Sequence, residues 1–437
     1  MMKSEYIMKN YLDDFKSKLA AMELESASKD YYWRLAFWQK AGMEIPDVMK
    51  YENPVKALDS GYLSHKWHSY PAKFYPQFVR ALLNICQVKR DYTIYDPYAG
   101  CGTSAVESKL LGMNYFGIDI SKLAVMISQV KVDLDIDIVH TRDTLADLSR
   151  KFKSETGTKW AYTDFEVKWY NDYNRPQVLL LYYLIEQIKN EREKRFFKIA
   201  LSSILRRVGN TKSGQIETRF EERGEKVDVL RLLTMRVNSM LADVQEYQQN
   251  GRNNCNITIE EGDANSYLPD EHADFIVTSP PYGNGLDYSR IHPLSIALLF
   301  GENEITNYRK GQTGTQNHVP NTILDTSFTE VGTAVINILE KGHVTRAKAL
   351  SKYYVDMRNS MQNAYESLRN DRYAVIIIGP TKVHEVLIPN DDVLIDIGKG
   401  VGFELYNKIN WTYDKTRRSG LEHKIKGETI VIFKKQS

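Results

Sequence analysis

The stretch from Tyr92 to Asp119 does most to constrain this chain. Tyr92-Thr93-Ile94-Tyr95 has the apolar, β-branched content of a short strand, and it runs into Asp96-Pro97-Tyr98-Ala99-Gly100-Cys101-Gly102-Thr103. A helix from about Ser104 to Leu111 follows, then Gly112, then a second strand, Tyr115-Phe116-Gly117-Ile118-Asp119. Strand, glycine-rich turn, helix and strand make a βαβ unit, so the sequence predicts an α/β fold.

The turn also carries chemistry. Glycines let the backbone come close to a ligand, and an acid ending the second strand can take the two hydroxyls of a ribose. Asp119 lies 23 residues after Asp96, near the spacing expected for nucleoside binding. Pyrophosphate binding would favour the G-x-G-x-x-G fingerprint or a P-loop lysine, and the turn has neither. A cofactor with a ribose and no pyrophosphate fits better, and S-adenosylmethionine is the common one. The alternative is a glycine turn that only shapes the backbone. Asp263 ends a later strand candidate (255–260) as Asp119 ends its own, and its carboxylate suits an adenine amino group.

A second turn has a different character. Ala273-Asp274-Phe275-Ile276-Val277 reads as a buried strand that ends at Thr278-Ser279-Pro280-Pro281-Tyr282. Two prolines forbid both a continued ladder and entry into a helix, so the chain leaves the strand end stiff and extended. Such a turn presents a hydroxyl (Ser279), carbonyls free of a following amide, and one aromatic face (Tyr282). That set suits a flat base bearing an exocyclic amino group; the alternative is an ordinary loop beside a strand. In Gly283 to Arg290, Tyr288 offers stacking and Arg290 a phosphate contact.

At 437 residues the chain is long enough for a large core and several domains or insertions. Residues 1–58 read as a helical, aromatic-rich extension. Between Asp119 and the strand candidate at Cys255 pass roughly 140 residues. A crossover needs far fewer, so about a hundred of them form an insertion. Helical periodicity covers Leu123–Val130, Pro176–Lys189, Lys194–Val208 and Val227–Gln249. Gly209 to Gly214, beside Arg206, Arg207 and Lys212, is either a solvated connection or a phosphate-contacting loop. Residues 301–346 read as irregular and are a candidate for substrate recognition. An amphipathic helix (Leu350–Leu368), a strong strand (Tyr373–Ile378), and a helix with edge strands (Leu394–Ile397, Phe403–Ile409, Thr429–Phe433) complete the chain. Lys415, Arg417, Arg418 and Lys424 make a second basic loop.

Composition sets outer limits. A net charge of +2 neither demands nor excludes nucleic acid, because a groove can be basic on a balanced surface. Three scattered cysteines (Cys86, Cys101, Cys255) fit neither a disulfide framework nor a zinc site, which predicts a reducing, cytoplasmic setting without structural metal. No apolar run approaches a membrane span, and the charged start is unlike a signal peptide.

Together these stretches resemble the amino-group DNA methyltransferases that use S-adenosylmethionine. Tyr70-Pro71-Ala72-Lys73-Phe74 is similar to that family's cofactor-methionine element, and Asp96 to Thr103 to its Asp-Pro-Phe-x-Gly-x-Gly-Thr motif, with Tyr98 in place of phenylalanine. Asp119 and Asp263 match the ribose- and adenine-contacting acids; Ser279-Pro280-Pro281-Tyr282 matches the catalytic motif; Glu428 to Lys434 is similar to the closing hairpin strand. The motif order is that of one permuted subgroup.

The resemblance implies a Rossmann-like methyltransferase sheet over 59–135 and 255–435, with the helical insertion (136–254) a possible DNA contact. It implies cofactor binding by Tyr70, Lys73, Phe74, Asp96, Tyr98, Gly100, Gly102, Thr103, Asp119 and Asp263. Catalysis falls to Ser279, Pro280, Pro281 and Tyr282. It implies double-stranded DNA as substrate with the base flipped out, and a restriction endonuclease or other defence protein as a possible partner. Within the family, Ser-Pro-Pro-Tyr is more typical of cytosine N4; adenine N6 and an RNA base are the alternatives.

Overall fold

The computed structural model describes residues 61–437, apart from 72, 74–75, 156–160, 250–253, 271, 284–285, 315–318 and 413–426. The expected N-terminal extension, Phe74 and the basic loop from Lys415 to Lys424 therefore lie outside the described residues. A 3-10 turn (Leu63–Lys66) leads to α1 (Pro76–Ile85), with Pro76 at its start. The predicted βαβ unit follows: β1 (Thr93–Asp96), α2 (Thr103–Leu111) and β2 (Asn114–Asp119), then α3 (Lys122–Val132). Five helices come next: α4 (Ile138–Ser154), α5 (Asp164–Trp169), α6 (Asn174–Glu186), α7 (Glu191–Val208) and α8 (Val229–Gln249).

The chain then re-enters the sheet with β3 (Ile257–Glu261) and β4 (Ala273–Thr278), and passes through α9 (Tyr288–Ile291), α10 (Pro293–Phe300) and α11 (Asn303–Gly311). It continues with α12 (Glu330–Glu340), α13 (Val344–Ser367) and β5 (Leu368–Ile378). A hairpin, β6 (Thr381–Val383) and β7 (Val386–Ile388), precedes α14 (Asn390–Val401), β8 (Glu404–Thr412) and β9 (Gly427–Lys434).

The seven-stranded sheet has the order β3-β2-β1-β4-β5-β9-β8. β1 pairs in parallel with both β2 and β4, and β4 in parallel with β5; β9 is antiparallel to both its neighbours. The chain thus builds outward from β1 to one side, then restarts at β4 on the other. The crevice between the carboxyl ends of β1 and β4 is the topological switch point, where α/β sheets hold their ligands. Thr429–Phe433 corrects an expectation: β9 lies inside the sheet between β5 and β8, so of these two strands β8 alone is at an edge.

Residue alternation explains why the central strands read as unbroken apolar runs. Tyr95, Ile276, Ile376 and Val431 face a core built with α12, α13 and α14. Ile94, Phe275, Val375 and Ile432 face the opposite core, with α1 and α2. Strands covered on both faces need no polar side. Asp274 is the exception on β4, and its buried carboxylate meets Arg369 at 3.0 Å and the Thr93 N–H at 3.1 Å.

The insertion packs against the sheet domain rather than apart from it. Its core, with Phe196, Phe197, Leu201 and Leu233, continues into Trp67, Tyr70, α3 and Leu294. Residues 301–346 are not irregular throughout, since α11, α12 and the start of α13 occupy much of them. Among the described residues no helix is long and apolar enough to cross a membrane.

Candidate active site

Both predicted turns open at the switch point, and one carboxylate joins them. Asp96 closes β1 and is 1% exposed. Its Oδ2 accepts from the Ser104 hydroxyl at 2.6 Å; its Oδ1 accepts from the Thr278 hydroxyl at 2.7 Å and the Tyr98 N–H at 3.1 Å. Thr278 immediately precedes Ser279. Asp96, expected at the cofactor, also ties the glycine turn to the Pro-Pro turn. Burial pushes its carboxyl up to about 6, with the three donors pulling the other way. Thr278→Val keeps the shape and deletes one donor to a buried carboxylate. It is expected to lower stability by about 1–3 kcal/mol, read as an earlier urea midpoint at unchanged slope.

The glycine turn needs glycine at two places. Gly100 (φ +53°) and Gly102 (φ +75°) are left-handed, and a Cβ on Gly102 would stand 2.8 Å from the Ser128 Cβ. α3 fixes the turn from below: Ser128 Oγ donates to the Gly100 carbonyl at 2.8 Å, and Lys131 Nζ to the Cys101 carbonyl at 3.1 Å. Thr103 is buried at the start of α2.

Asp119 sits beside this turn. Its carboxylate accepts the Gly100 N–H at 2.9 Å and the Ser121 N–H at 2.8 Å, while its carbonyl accepts the Gly262 N–H at 3.1 Å. The ends of β1, β2 and β3 are thus one hydrogen-bonded frame. Burial pushes the Asp119 carboxyl up to about 6 against the two amides. Asp263 stands just past β3, and its carboxylate accepts the Asn265 N–H at 2.9 Å.

Aromatic rings wall the space. Tyr70 lies over Gly100, where a Cβ would meet its ring at 3.8 Å, and stacks on Tyr288 and on His292, each at 5.1 Å between centroids. Tyr288 is therefore a half-buried ring with Tyr70 stacked on it. Arg290 is 57% exposed and lies 3.6 Å from Asp287. Lys73 points elsewhere, donating to the His65 carbonyl at 3.0 Å. The Tyr98 hydroxyl reaches the Met357 sulfur at 3.9 Å.

Sequence reasoning missed the roof. Residues 308–314 cross from the end of β2 to the Pro-Pro turn. Tyr308 lies against Asp119 and Ser121, and a Cβ on Gly311 would touch Ile120 Cδ1 at 2.7 Å. Asn265 Nδ2 donates to Thr313 Oγ1 at 3.3 Å. Gly314 (φ +76°) passes so close that a Cβ would lie 3.1 Å from the Tyr282 carbonyl oxygen. The only sequence signal was the run of small and polar residues in that region.

At the second turn Ser279 is half-buried, and neither proline behind it has an N–H. Tyr282 packs against the α13 side of the core while its hydroxyl donates to Glu428 Oε1 at 2.7 Å. Glu428, at the start of β9, thereby sets the ring's orientation. An acceptor hydroxyl, a proline carbonyl and an oriented aromatic face stand at one strand end, framed to a nucleoside-type pocket. That arrangement can hold an amino-bearing base against a bound cofactor.

Comparison with known proteins agrees. Residues 273–437 match the family described as DNA methylase, and residues 65–155 match an RMKL-like methyltransferase domain. The Type II methyltransferase M.MvaI of Kocuria varians is 25% identical over 385 residues, covering 79% of this chain and 84% of that protein. M.BsoBI of Geobacillus stearothermophilus, also a Type II methyltransferase, is 25% identical over 57% of this chain and 55% of that protein. Among solved structures, a TehB-like SAM-dependent methyltransferase from Corynebacterium glutamicum is 10% identical and covers 93% of this chain and 96% of that one, at a TM-score of 0.28. A likeness of that size adds nothing to the sheet order described above.

Proposed function

We propose that this chain, which belongs to the S-adenosylmethionine-dependent amino-group DNA methyltransferases, methylates cytosine N4 within a specific duplex sequence. The observation that carries the reading is the Asp96–Thr278 hydrogen bond, because it locks the pocket beside Asp119 to the turn that presents Ser279. The residues present suit the cofactor. Asp119 offers acceptors for ribose hydroxyls, Ile120 an apolar edge for adenine, and Tyr70, Tyr98 and Tyr308 electron-rich rings that favour a cation. Bound there, S-adenosylmethionine supplies an electrophilic methyl group on a sulfonium.

The chain's own residues do the positioning. An exocyclic amine conjugated to its ring is a poor nucleophile. Hydrogen bonds from its protons to the Ser279 hydroxyl and the Pro280 carbonyl pull the nitrogen toward tetrahedral geometry and aim its lone pair. Once the amine has taken up the methyl group, its extra proton would pass through the Ser279 hydroxyl to water. That proton is acidic once the methyl has arrived, so a hydroxyl suffices where a strong base would otherwise be required. Tyr282, its hydroxyl held by Glu428, offers its face to a base swung out of the duplex. The Ser-Pro-Pro-Tyr sequence favours cytosine N4 over adenine N6. A restriction endonuclease reading the same sequence is the partner such an activity implies.

Incubation of the full chain with methyl-labelled S-adenosylmethionine and duplex DNA, then digestion to nucleosides, tests this. Label is expected in N4-methylcytosine. Label in N6-methyladenine would keep the chemistry and overturn the base; label only in RNA would overturn the substrate.

A further inference from the structure

A cleft of about 680 Å³ lies between the helical insertion and the segment that follows the catalytic turn. Arg206, Arg207, Lys212 and Arg223 line it, and no Asp or Glu is among its lining residues. Arg207 is neutralised by Glu225, with bonds of 2.6 and 2.7 Å. Arg206 and Lys212 are not, while Arg223 shares the field of the same Glu225 carboxylate. Arg206 donates only to the carbonyls of Gln215 and Ile216, at 2.7 and 3.1 Å, and Arg223 to the Ser213 hydroxyl at 2.9 Å. Lys212 is exposed and makes no ion pair among the described residues.

The inner wall holds an unsatisfied group. His292 is 6% exposed, lines the cleft, and its Nε2 has no hydrogen-bond partner among the described residues. A buried ring nitrogen left unpaired costs free energy unless something outside the chain engages it. That ring also stacks on Tyr70, which lies over Gly100. The loop carrying Lys212 is also tied to the catalytic side: Thr218 bonds through its N–H to the Arg290 carbonyl at 2.9 Å and through its hydroxyl to the Ile291 carbonyl at 2.7 Å.

We propose that this cleft binds the phosphodiester backbone of the duplex that carries the target base, with Arg206, Lys212 and Arg223 as phosphate contacts and His292 completing the wall. The proposal rests on DNA being the substrate. It assigns the insertion a role in holding and orienting the duplex, while base recognition lies elsewhere. Cations in a cleft with no carboxylate among its lining residues suit a polyanion, and guanidinium groups suit phosphate in particular. The Thr218 bonds join the cleft to α9, which follows the catalytic turn in the chain.

The test is fluorescence anisotropy of the full chain with a labelled duplex across a salt series, without turnover. In Lys212→Ala combined with Arg223→Ala, the slope of log affinity against log salt is expected to fall by about one unit per charge removed, for target and random duplexes alike. Lys212→Arg is expected to keep the wild-type slope, and all variants to bind S-adenosylmethionine like the wild type, which shows that they fold. A wild-type slope in the double variant would overturn the cleft and leave the methyltransferase reading intact. Wild-type preference for RNA over duplex DNA would overturn both. Equal weakening by Lys212→Arg would also count against it, since charge would then not be the cause.

Discussion

Ser279→Ala is expected to lower the methyl-transfer rate by about a hundred- to a thousandfold, with S-adenosylmethionine affinity unchanged. The loss falls on the chemical step because the hydroxyl matters most as the amine nitrogen leaves planarity; in the ground state the amino group bonds almost as well to water. Single-turnover measurements at saturating DNA and cofactor isolate that step. Tyr282 separates the two parts of the site. Tyr282→Ala removes the stacking face, worth about 1–3 kcal/mol per base, whereas Tyr282→Phe keeps the face and loses the bond to Glu428. Alanine should therefore cost far more than phenylalanine. Normal turnover in Ser279→Ala would place the active site elsewhere.

The turn itself was readable because its causes are local. Two prolines after an apolar run fix the backbone whatever surrounds them, and positive φ at Gly100 and Gly102 demands glycine in any context. Three helices of the insertion, α6, α7 and α8, were legible from periodicity for the same reason, whereas α4 and α5 were not. What sequence could not supply was adjacency. Nothing local distinguishes Thr429–Phe433 as an interior strand from the same residues at an edge. Its position follows from α14 and β8 carrying the chain past β5 and back. The tie that Asp96 makes to Thr278 was hidden for a related reason. An acid before a glycine turn suits a ligand contact, and only the β1–β4 pairing brings Thr278 within reach to engage it. The roof from Tyr308 to Gly314 depends on contacts with three separate loops, each set by a different strand. Its residues carry no period, so they read as irregular.

Asp119→Ala should act on binding where Ser279→Ala acts on rate. The carboxylate holds the Gly100 and Ser121 amides now, and each oxygen keeps a lone pair for a ribose hydroxyl. Hydrogen bonds to a charged group contribute about 1.5–3 kcal/mol, so S-adenosylmethionine should bind about ten- to a hundredfold more weakly for each bond lost. The pH dependence gives a second, independent reading. Burial pushes this carboxyl up to about 6 from an ordinary 3.8. Between those values the folded chain without cofactor holds a proton that the unfolded chain has released. The stability linked to this group is therefore fully present below the lower value and lost as pH rises through about 6. Cofactor binding has the opposite sign, because ribose hydroxyls donate best to the ionised form. Affinity measured by calorimetry should rise as pH passes through about 6, with release of up to one proton. Asp119→Asn keeps one acceptor and cannot titrate, so its affinity should stay flat over that range. A wild-type affinity equally flat would mean that Asp119 frames the glycine turn without touching the nucleoside.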